Sequence, residues 1–102
     1  MATLQEITER IRRAAEAAPV AERSIKLDLK GEGVIHIAGA AVSNDDLPAD
    51  LVVTISRKDL EALGRRELDP MRAIMSGRMK LSDMGLAMKL QPAIQSLFVN
   101  AV

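Results

Sequence analysis

Four short segments of the chain alternate apolar with polar residues, and this alternation limits the fold more than any other feature. Side chains along a strand point to opposite faces in turn, so each segment predicts a strand with one buried face and one solvated face. The alternating apolar positions are Ile25, Leu27 and Leu29; Ile35 and Ile37; Leu51, Val53 and Ile55; and Met79 and Leu81. None of the segments is apolar on both faces, which predicts one sheet with helices against a single face.

Turn and helix signals fill the intervals between these strands. Gly31 to Gly33 predicts a tight hairpin connection between the first two strands, and a short additional strand is expected at 40–43. Helices are predicted at 3–18, 56–64, 70–76 and 84–98. Gly64 is expected to end the second helix, and Pro92 is expected to break the fourth.

These signals together predict an α+β fold with two layers, in which a five-stranded, mostly antiparallel sheet has helices covering one face. A chain of 102 residues is expected to form one domain over residues 1–102. The sequence contains no cysteine, which excludes a disulfide framework and thiolate chemistry.

Charge and aromatic content exclude further classes of partner. Fourteen basic and fourteen acidic residues cancel, and Phe98 is the single aromatic residue, so neither a global field nor stacking platforms favour nucleic acid. No apolar run approaches the roughly 18 residues of a membrane span. We therefore expect a cytoplasmic protein with no nucleic-acid partner and no stable membrane insertion.

Methionine is concentrated in one part of the chain. Five methionines follow residue 70, and two pairs of them are spaced i,i+4, so that each pair shares one helix face. One interpretation is a core filled with methionine; the other is an adaptable apolar cavity that parts around a ligand. The candidate ligand-binding residues are Met71, Ile74, Met75, Met79, Met84, Leu86, Met88, Leu90 and Ile94.

The polar candidates for chemistry are weak. Alternation places His36 on the solvated face of its strand, and it has no partner at a catalytic spacing. Asp45, Asp46 and Asp50 lack the spacing of a calcium loop, so a solvated loop is favoured and no metal is expected. The remaining feature is a set of cations, which is either an ordinary soluble surface or a ring around the mouth of a pocket: Arg57, Lys58, Arg65, Arg66, Arg72, Arg78 and Lys80.

The second half of the chain also resembles a known family. The residues that carry the resemblance are Asp69-Pro70, Ala73-Ile74, Gly77 to Lys80, and the run Met-Gly-Leu-Ala-Met-Lys-Leu-Gln at 84–91. Their order resembles the C-terminal half of the sterol carrier protein-2 lipid-binding domain, and a weaker similarity extends to 49–55 and 59–63. Arg66 stands where the family commonly has a loop glycine. The resemblance implies a five-stranded sheet with helices on one face, in agreement with the residue pattern.

The resemblance further implies a non-enzymatic carrier without a cofactor. Such a carrier would hold a lipid, fatty-acyl or sterol-like ligand between the sheet and the C-terminal helices, which favours the cavity interpretation of the methionines. Some small proteins with this domain act as accessory factors in isoprenoid-quinone assembly. The alternative is therefore a scaffold protein that offers the same apolar groove to a partner or to a second copy in a homodimer.

Overall fold

The computed structural model describes residues 2–102, apart from the side chains of Ala21 and Glu22. The elements in chain order are α1 (Leu4–Ala17), β1 (Val20–Asp28), β2 (Val34–Gly39), β3 (Ala41–Ser43), β4 (Leu51–Ile55), α2 (Arg57–Gly64), α3 (Pro70–Met75), β5 (Met79–Leu81), α4 (Met84–Lys89) and α5 (Gln91–Asn100). Within residues 2–102, no helix is long and apolar enough to cross a membrane.

The five strands form one sheet in the order β3-β2-β1-β4-β5. The central pair of β1 and β4 is parallel, with Ile25 opposite Leu51, and the other three pairs are antiparallel. The predicted α+β fold with a five-stranded, mostly antiparallel sheet is confirmed. β1 begins at Val20, earlier than predicted, because Val20 pairs with Gly39 across a register shift that the sequence does not signal.

Branched aliphatic side chains form the core between the sheet and α1. Residues along Leu51–Ile55 alternate between buried and half-buried positions, as the apolar alternation predicts. Ile7, Ile11 and Ala15 of α1 are fully buried against the inner face of the sheet. Burial of each isoleucine or leucine side chain stabilises the fold by about 1.5–3 kcal/mol. This layer is therefore the stable frame against which the C-terminal elements are positioned.

His36 is buried, which corrects the prediction that it faces solvent. Its side chain is 8% exposed, and its Nε2 atom lies 3.1 Å from the carbonyl oxygen of Pro48. Alternation assigns the face of a strand correctly, but the loop at 44–50 lies over this part of the outer face. His36 is therefore a structural residue that holds this loop.

Two carboxylates of the predicted acidic cluster hold the same loop to β1. The ammonium group of Lys26 donates to Asp46 over 2.7 Å. The backbone N–H and hydroxyl of Ser24 donate to one carboxylate oxygen of Asp50 over 2.8 Å and 3.2 Å. These bonds tie the middle and the end of the loop to the outer face of the central strand, β1.

Gly64 is the last residue of α2, as predicted, and it also has a packing role. The left-handed conformation that usually follows a helix belongs to Arg66, with φ of 62°. A Cβ atom at Gly64 would overlap the carbonyl oxygen of Phe98 in α5. Absence of a side chain at this position therefore allows α2 and α5 to pack closely.

We expect Gly64→Ala to destabilise the protein although alanine is the better helix former. The new methyl group must displace the backbone of α5, and such overpacking costs about 1–3 kcal/mol. Gly85→Ala is the matched control, because Gly85 is also helical and a Cβ there meets only the Asp83 carboxylate at 3.5 Å. Urea unfolding should show a lower midpoint for Gly64→Ala and an unchanged or higher midpoint for Gly85→Ala. Equal midpoints would contradict the packing role.

Acid should weaken the anchor at Asp50. The hydrogen bonds from the Ser24 backbone and hydroxyl lower the pKa of Asp50 below its usual value of 3.8. A carboxyl whose pKa is lower in the folded state adds stability above the unfolded pKa and loses it as pH falls through the folded pKa. The stability difference between the wild type and Asp50→Asn should therefore shrink between about pH 5.5 and about pH 3. An equal difference in urea midpoint at both pH values would contradict this linkage.

Candidate functional site: an apolar cavity beside β5

A large cavity lies between the β5 edge of the sheet and the C-terminal helices. Its volume is about 1120 Å³, and it is lined from the end of α2, the segment at 66–69, α3, β5, α4 and α5. Ligand pockets in proteins commonly measure about 300–1,000 Å³. The cavity is thus large enough for a molecule with a long apolar body.

The floor of the cavity is apolar. Leu63, Met79, Ala87 and Phe98 line it and are buried. Further out, the half-buried apolar lining residues are Leu68, Ile74, Leu81 and Ile94. Since these side chains come from five different elements, the apolar surface exists only in the folded chain.

Local sequence signals place the two short helices that flank β5. An oxygen of the Asp69 side chain accepts a hydrogen bond from the backbone N–H of Arg72 over 3.2 Å, which starts α3. Gly77, with φ of 78°, ends that helix and leads directly into β5. The Asp83 side chain then accepts from the N–H of Leu86 over 3.0 Å and starts α4.

The break between α4 and α5 occurs where Pro92 predicts it. Leu90 is both the C-cap residue of α4 and the N-cap residue of α5, with φ of −95° and ψ of 7°. Proline has no backbone N–H and cannot continue the hydrogen-bond ladder of a helix. The chain therefore turns at Leu90, and α5 brings Ile94 and Phe98 to the cavity.

Charged side chains surround the opening. Arg66, Arg72 and Arg78 line the cavity together with Glu67 and Asp69. Among the side chains that the structure describes, the three guanidinium groups form no ion pair. Three members of the predicted cation set are thus at the opening. Arg57, Lys58, Arg65 and Lys80 do not line the cavity, and Arg57 pairs with Glu32 over 3.1 Å.

The structure brings six of the nine sequence-predicted ligand residues into the cavity lining. These are Met71, Ile74, Met79, Met84, Met88 and Ile94. Met79 is buried in the floor, whereas the other three methionines are at least 47% exposed.

Three predicted ligand residues, Met75, Leu86 and Leu90, do not line the cavity. Met75 is the last residue of α3 and is 82% exposed. Leu86 and Leu90 are half-buried against the core instead. The i,i+4 spacing identifies residues that are neighbours on a helix. It does not determine whether each of them lines the cavity, faces solvent or packs against the core.

Sequence reasoning missed several of the lining residues. Leu63 lies in the predicted helix at 56–64 and Ala87 in the run at 84–91, and neither residue carries a sequence signal that marks it as part of a site. Phe98 was noted as the single aromatic residue, and its size is the signal that could have placed it in the site. Arg66 stands where the family commonly has a glycine. Its left-handed backbone conformation, which favours glycine, and its place at the cavity opening mark it as a residue of the site.

Curated proteins match about half of the chain. Sterol carrier protein 2 of Oryctolagus cuniculus is 43% identical over 54 residues, which are 52% of this chain and 10% of that protein. The chain thus spans about a tenth of the length of the curated relatives it matches.

Solved structures match over most of the chain. The crystal structure of sterol carrier protein 2 like 2 from Aedes aegypti has a TM-score of 0.72 and 23% identity, and the match covers 85% of this chain and 92% of that chain. The solution structure of Aedes aegypti sterol carrier protein-2 in complex with the C16 fatty acid palmitate has a TM-score of 0.68 and 19% identity, with 89% and 93% of the two chains covered. At these identities the matches show a common fold.

A family profile matches most of the chain. The match covers residues 4–95, which include α1, the whole sheet, α2, α3, α4 and the first half of α5. With the fold, the cavity and the run at 84–91 all in agreement, the chain belongs to the SCP-2 sterol transfer family.

Proposed function

We propose that this protein is a carrier for a single-chain lipid with an anionic head group, of the fatty-acid class. The observation that supports this most strongly is the combination of an apolar floor with a rim that carries three arginines. Membership of a sterol transfer family and the complex of a structural neighbour with palmitate support the same class of ligand.

Apolar contact supplies the largest favourable contribution to binding. Each buried methylene contributes about 0.8 kcal/mol, so about 12 methylenes offer roughly 10 kcal/mol, and association costs about 4 kcal/mol or more of this. A micromolar dissociation constant needs about 8 kcal/mol. Contacts of the rim with the head group must therefore contribute affinity as well as selectivity.

Arg66 is the rim residue best suited to hold a carboxylate. A guanidinium group presents two parallel N–H donors that match the two oxygens of a carboxylate. The left-handed conformation of Arg66 costs a non-glycine residue about 1–2 kcal/mol. A strained arginine at the opening of a cavity is consistent with a role in binding, since glycine would relieve the strain and remove the cation.

The chemistry of the lining favours a carrier over an enzyme. Among the described residues, the wall of the cavity contains neither histidine nor cysteine. The hydroxyl of Ser76 donates to the carbonyl oxygen of Ala73 over 3.3 Å, and the Asp69 side chain caps α3. We therefore propose that the ligand leaves this site chemically unchanged.

Two exposed methionines allow the location of the site to be tested, because Met88 lines the cavity and Met75 does not. Met88→Asp places a carboxylate in the lining and should weaken binding of a fluorescent fatty acid by at least about tenfold, because an acyl chain must then lie against a charged group. Met75→Asp makes the same change outside the cavity and should leave the dissociation constant within about twofold. Fluorescence titration measures both, with circular dichroism as the folding control. An equal loss in both variants would contradict the location of the site.

Arg66→Gly should raise stability and lower affinity together. Removal of the left-handed strain should add about 0.5–1 kcal/mol to the free energy of unfolding, while loss of the cation should weaken binding of palmitate more than binding of its methyl ester. Lys30→Gly is the matched control, because Lys30 also has a positive φ, of 51°, and does not line the cavity. It should gain stability with no change in affinity. An Arg66→Gly variant with unchanged preference for palmitate would contradict the head-group assignment.

The scaffold alternative makes a different prediction for the purified protein. Native mass spectrometry should find a monomer with copurified fatty acid if the carrier proposal is correct. A ligand-free dimer would contradict it and favour a groove that serves a second copy of the chain.

A further inference from the structure

The sulfur atoms of this chain are all thioethers. The sequence contains six methionines and no cysteine, so an oxidant meets no thiol that would react before a methionine. The sequence also contains neither tryptophan nor tyrosine. Methionine is therefore the side chain at which a mild oxidant acts first, and methionine sulfoxide is the product.

The fold divides the methionines after residue 70 into two groups. Met71 and Met75 on α3 are 60% and 82% exposed, and Met84 and Met88 on α4 are 47% and 71% exposed. Met79 in β5 is 5% exposed. An oxidant must reach the sulfur atom in order to react with it, so four of these side chains are open to oxidation and one is shielded.

Three of the four exposed methionines belong to the cavity. Met71, Met84 and Met88 line it, and Met75 does not. Oxidation turns a flexible apolar side chain into a polar and chiral one. Because Met79 in the floor is shielded, the change in polarity falls on the walls at the opening of the cavity, while the floor stays apolar.

We propose that Met71, Met84 and Met88 are sites of reversible oxidation by a peroxide, and that their conversion to the sulfoxide closes the cavity to an apolar ligand. The sulfur lone pair attacks one oxygen of hydrogen peroxide, so that a sulfur–oxygen bond forms and the oxygen–oxygen bond breaks. The proton on the transferred oxygen passes to the other oxygen, which leaves as water. Sulfur is oxidised by two electrons and the peroxide is reduced by two.

This inference rests on the proposed carrier function and makes its affinity depend on oxidation. A sulfoxide oxygen at the opening accepts hydrogen bonds from water, and an acyl chain that covers it offers no donor in exchange. The ligand is thus weakened at the walls, where the sulfoxides lie. Among the described residues, Met79 is the single methionine of the buried core, so oxidation of the exposed side chains leaves the fold intact.

The test treats the wild type with hydrogen peroxide and follows each methionine by peptide mass spectrometry. The four exposed methionines should be converted at least about tenfold faster than Met79, because their sulfur atoms are accessible. Binding of a fluorescent fatty acid is then measured while Met79 is still unmodified. The dissociation constant should rise by at least about tenfold, since unpaired polar groups must be covered.

Reduction should reverse the effect. Methionine sulfoxide reductases A and B act on the two sulfoxide epimers, and dithiothreitol supplies the electrons as it becomes a disulfide and the sulfoxide oxygen leaves as water. Treatment with both enzymes should restore the original dissociation constant. Circular dichroism before and after each step is the folding control.

Leucine variants locate the effect, because leucine is apolar, similar in volume to methionine and not oxidised by peroxide. Met75→Leu removes the exposed methionine outside the cavity, so peroxide should weaken its binding as much as that of the wild type. The triple variant Met71→Leu, Met84→Leu, Met88→Leu is compared with its own untreated form. Its dissociation constants before and after peroxide should agree within about twofold, since no oxidisable side chain remains at the opening.

Four outcomes would overturn the proposal. They are an oxidised wild type that binds as tightly as the untreated protein, a loss of affinity that both reductases fail to reverse, an equal loss in the triple variant, and conversion of Met79 as fast as the exposed methionines. An untreated wild type that binds no fatty acid would overturn the carrier function together with this proposal. The four preceding outcomes leave the carrier function standing, so the two failures are distinguishable.

Discussion

The pairing of β5 with β4 is the interaction on which the cavity depends. β5 has three residues, with Met79 opposite Ile55, and the ladder continues where the backbone N–H of Ser82 donates to the carbonyl of Val52 over 3.0 Å. The Ser82 hydroxyl accepts from the N–H of Val52 over 2.9 Å. α3 and α4 have six residues each, too few to be stable alone. Because one helix leads into β5 and the other leaves it, this short ladder holds both walls of the cavity.

The two halves of the molecule are built from different side chains. Isoleucine, leucine and valine fill the layer between the sheet and α1, and β-branched side chains among them have few accessible rotamers. The lining of the cavity beside β5 adds four methionines to leucine, isoleucine and phenylalanine, and each methionine has three rotatable side-chain bonds and a polarizable sulfur. A stiff layer thus sets the geometry, and the proposed ligand would meet a more adaptable surface.

Periodicity in the sequence was sufficient for the fold because burial in a sheet repeats every two residues. The alternating isoleucines, leucines and valines predicted the strands, and Pro92 predicted the break before α5. Irregular features escaped this reasoning. The register shift in β1 and the loop that buries His36 depend on contacts between distant residues, which no local pattern encodes.

The candidate site could be predicted only in part, because the position of its side chains also depends on contacts between distant residues. Methionine content and spacing indicated the correct segment, but the depth of each side chain depends on how a short helix is oriented against its neighbours. Met75 therefore lies outside the cavity while Met71 lines it. Gly64 ends α2 as predicted, but its close packing against the carbonyl oxygen of Phe98 could not be predicted, because Phe98 lies far away in sequence.

The parallel pairing at the centre of the sheet also determines the order in which the molecule can form. β1 and β2 are joined by a short hairpin, whereas β1 meets β4 only after β3 and the following loop have been made, with Ile25 opposite Leu51. Strand pairings between residues that are distant in sequence form slowly, because closing the intervening chain costs entropy before the paired residues gain stabilising contacts. β5 adds to β4, so its helices can be fixed only after this central step. We therefore expect the cavity to assemble late, and a ligand that occupies only the finished cavity would prolong the lifetime of the native state by slowing unfolding, without hastening its formation.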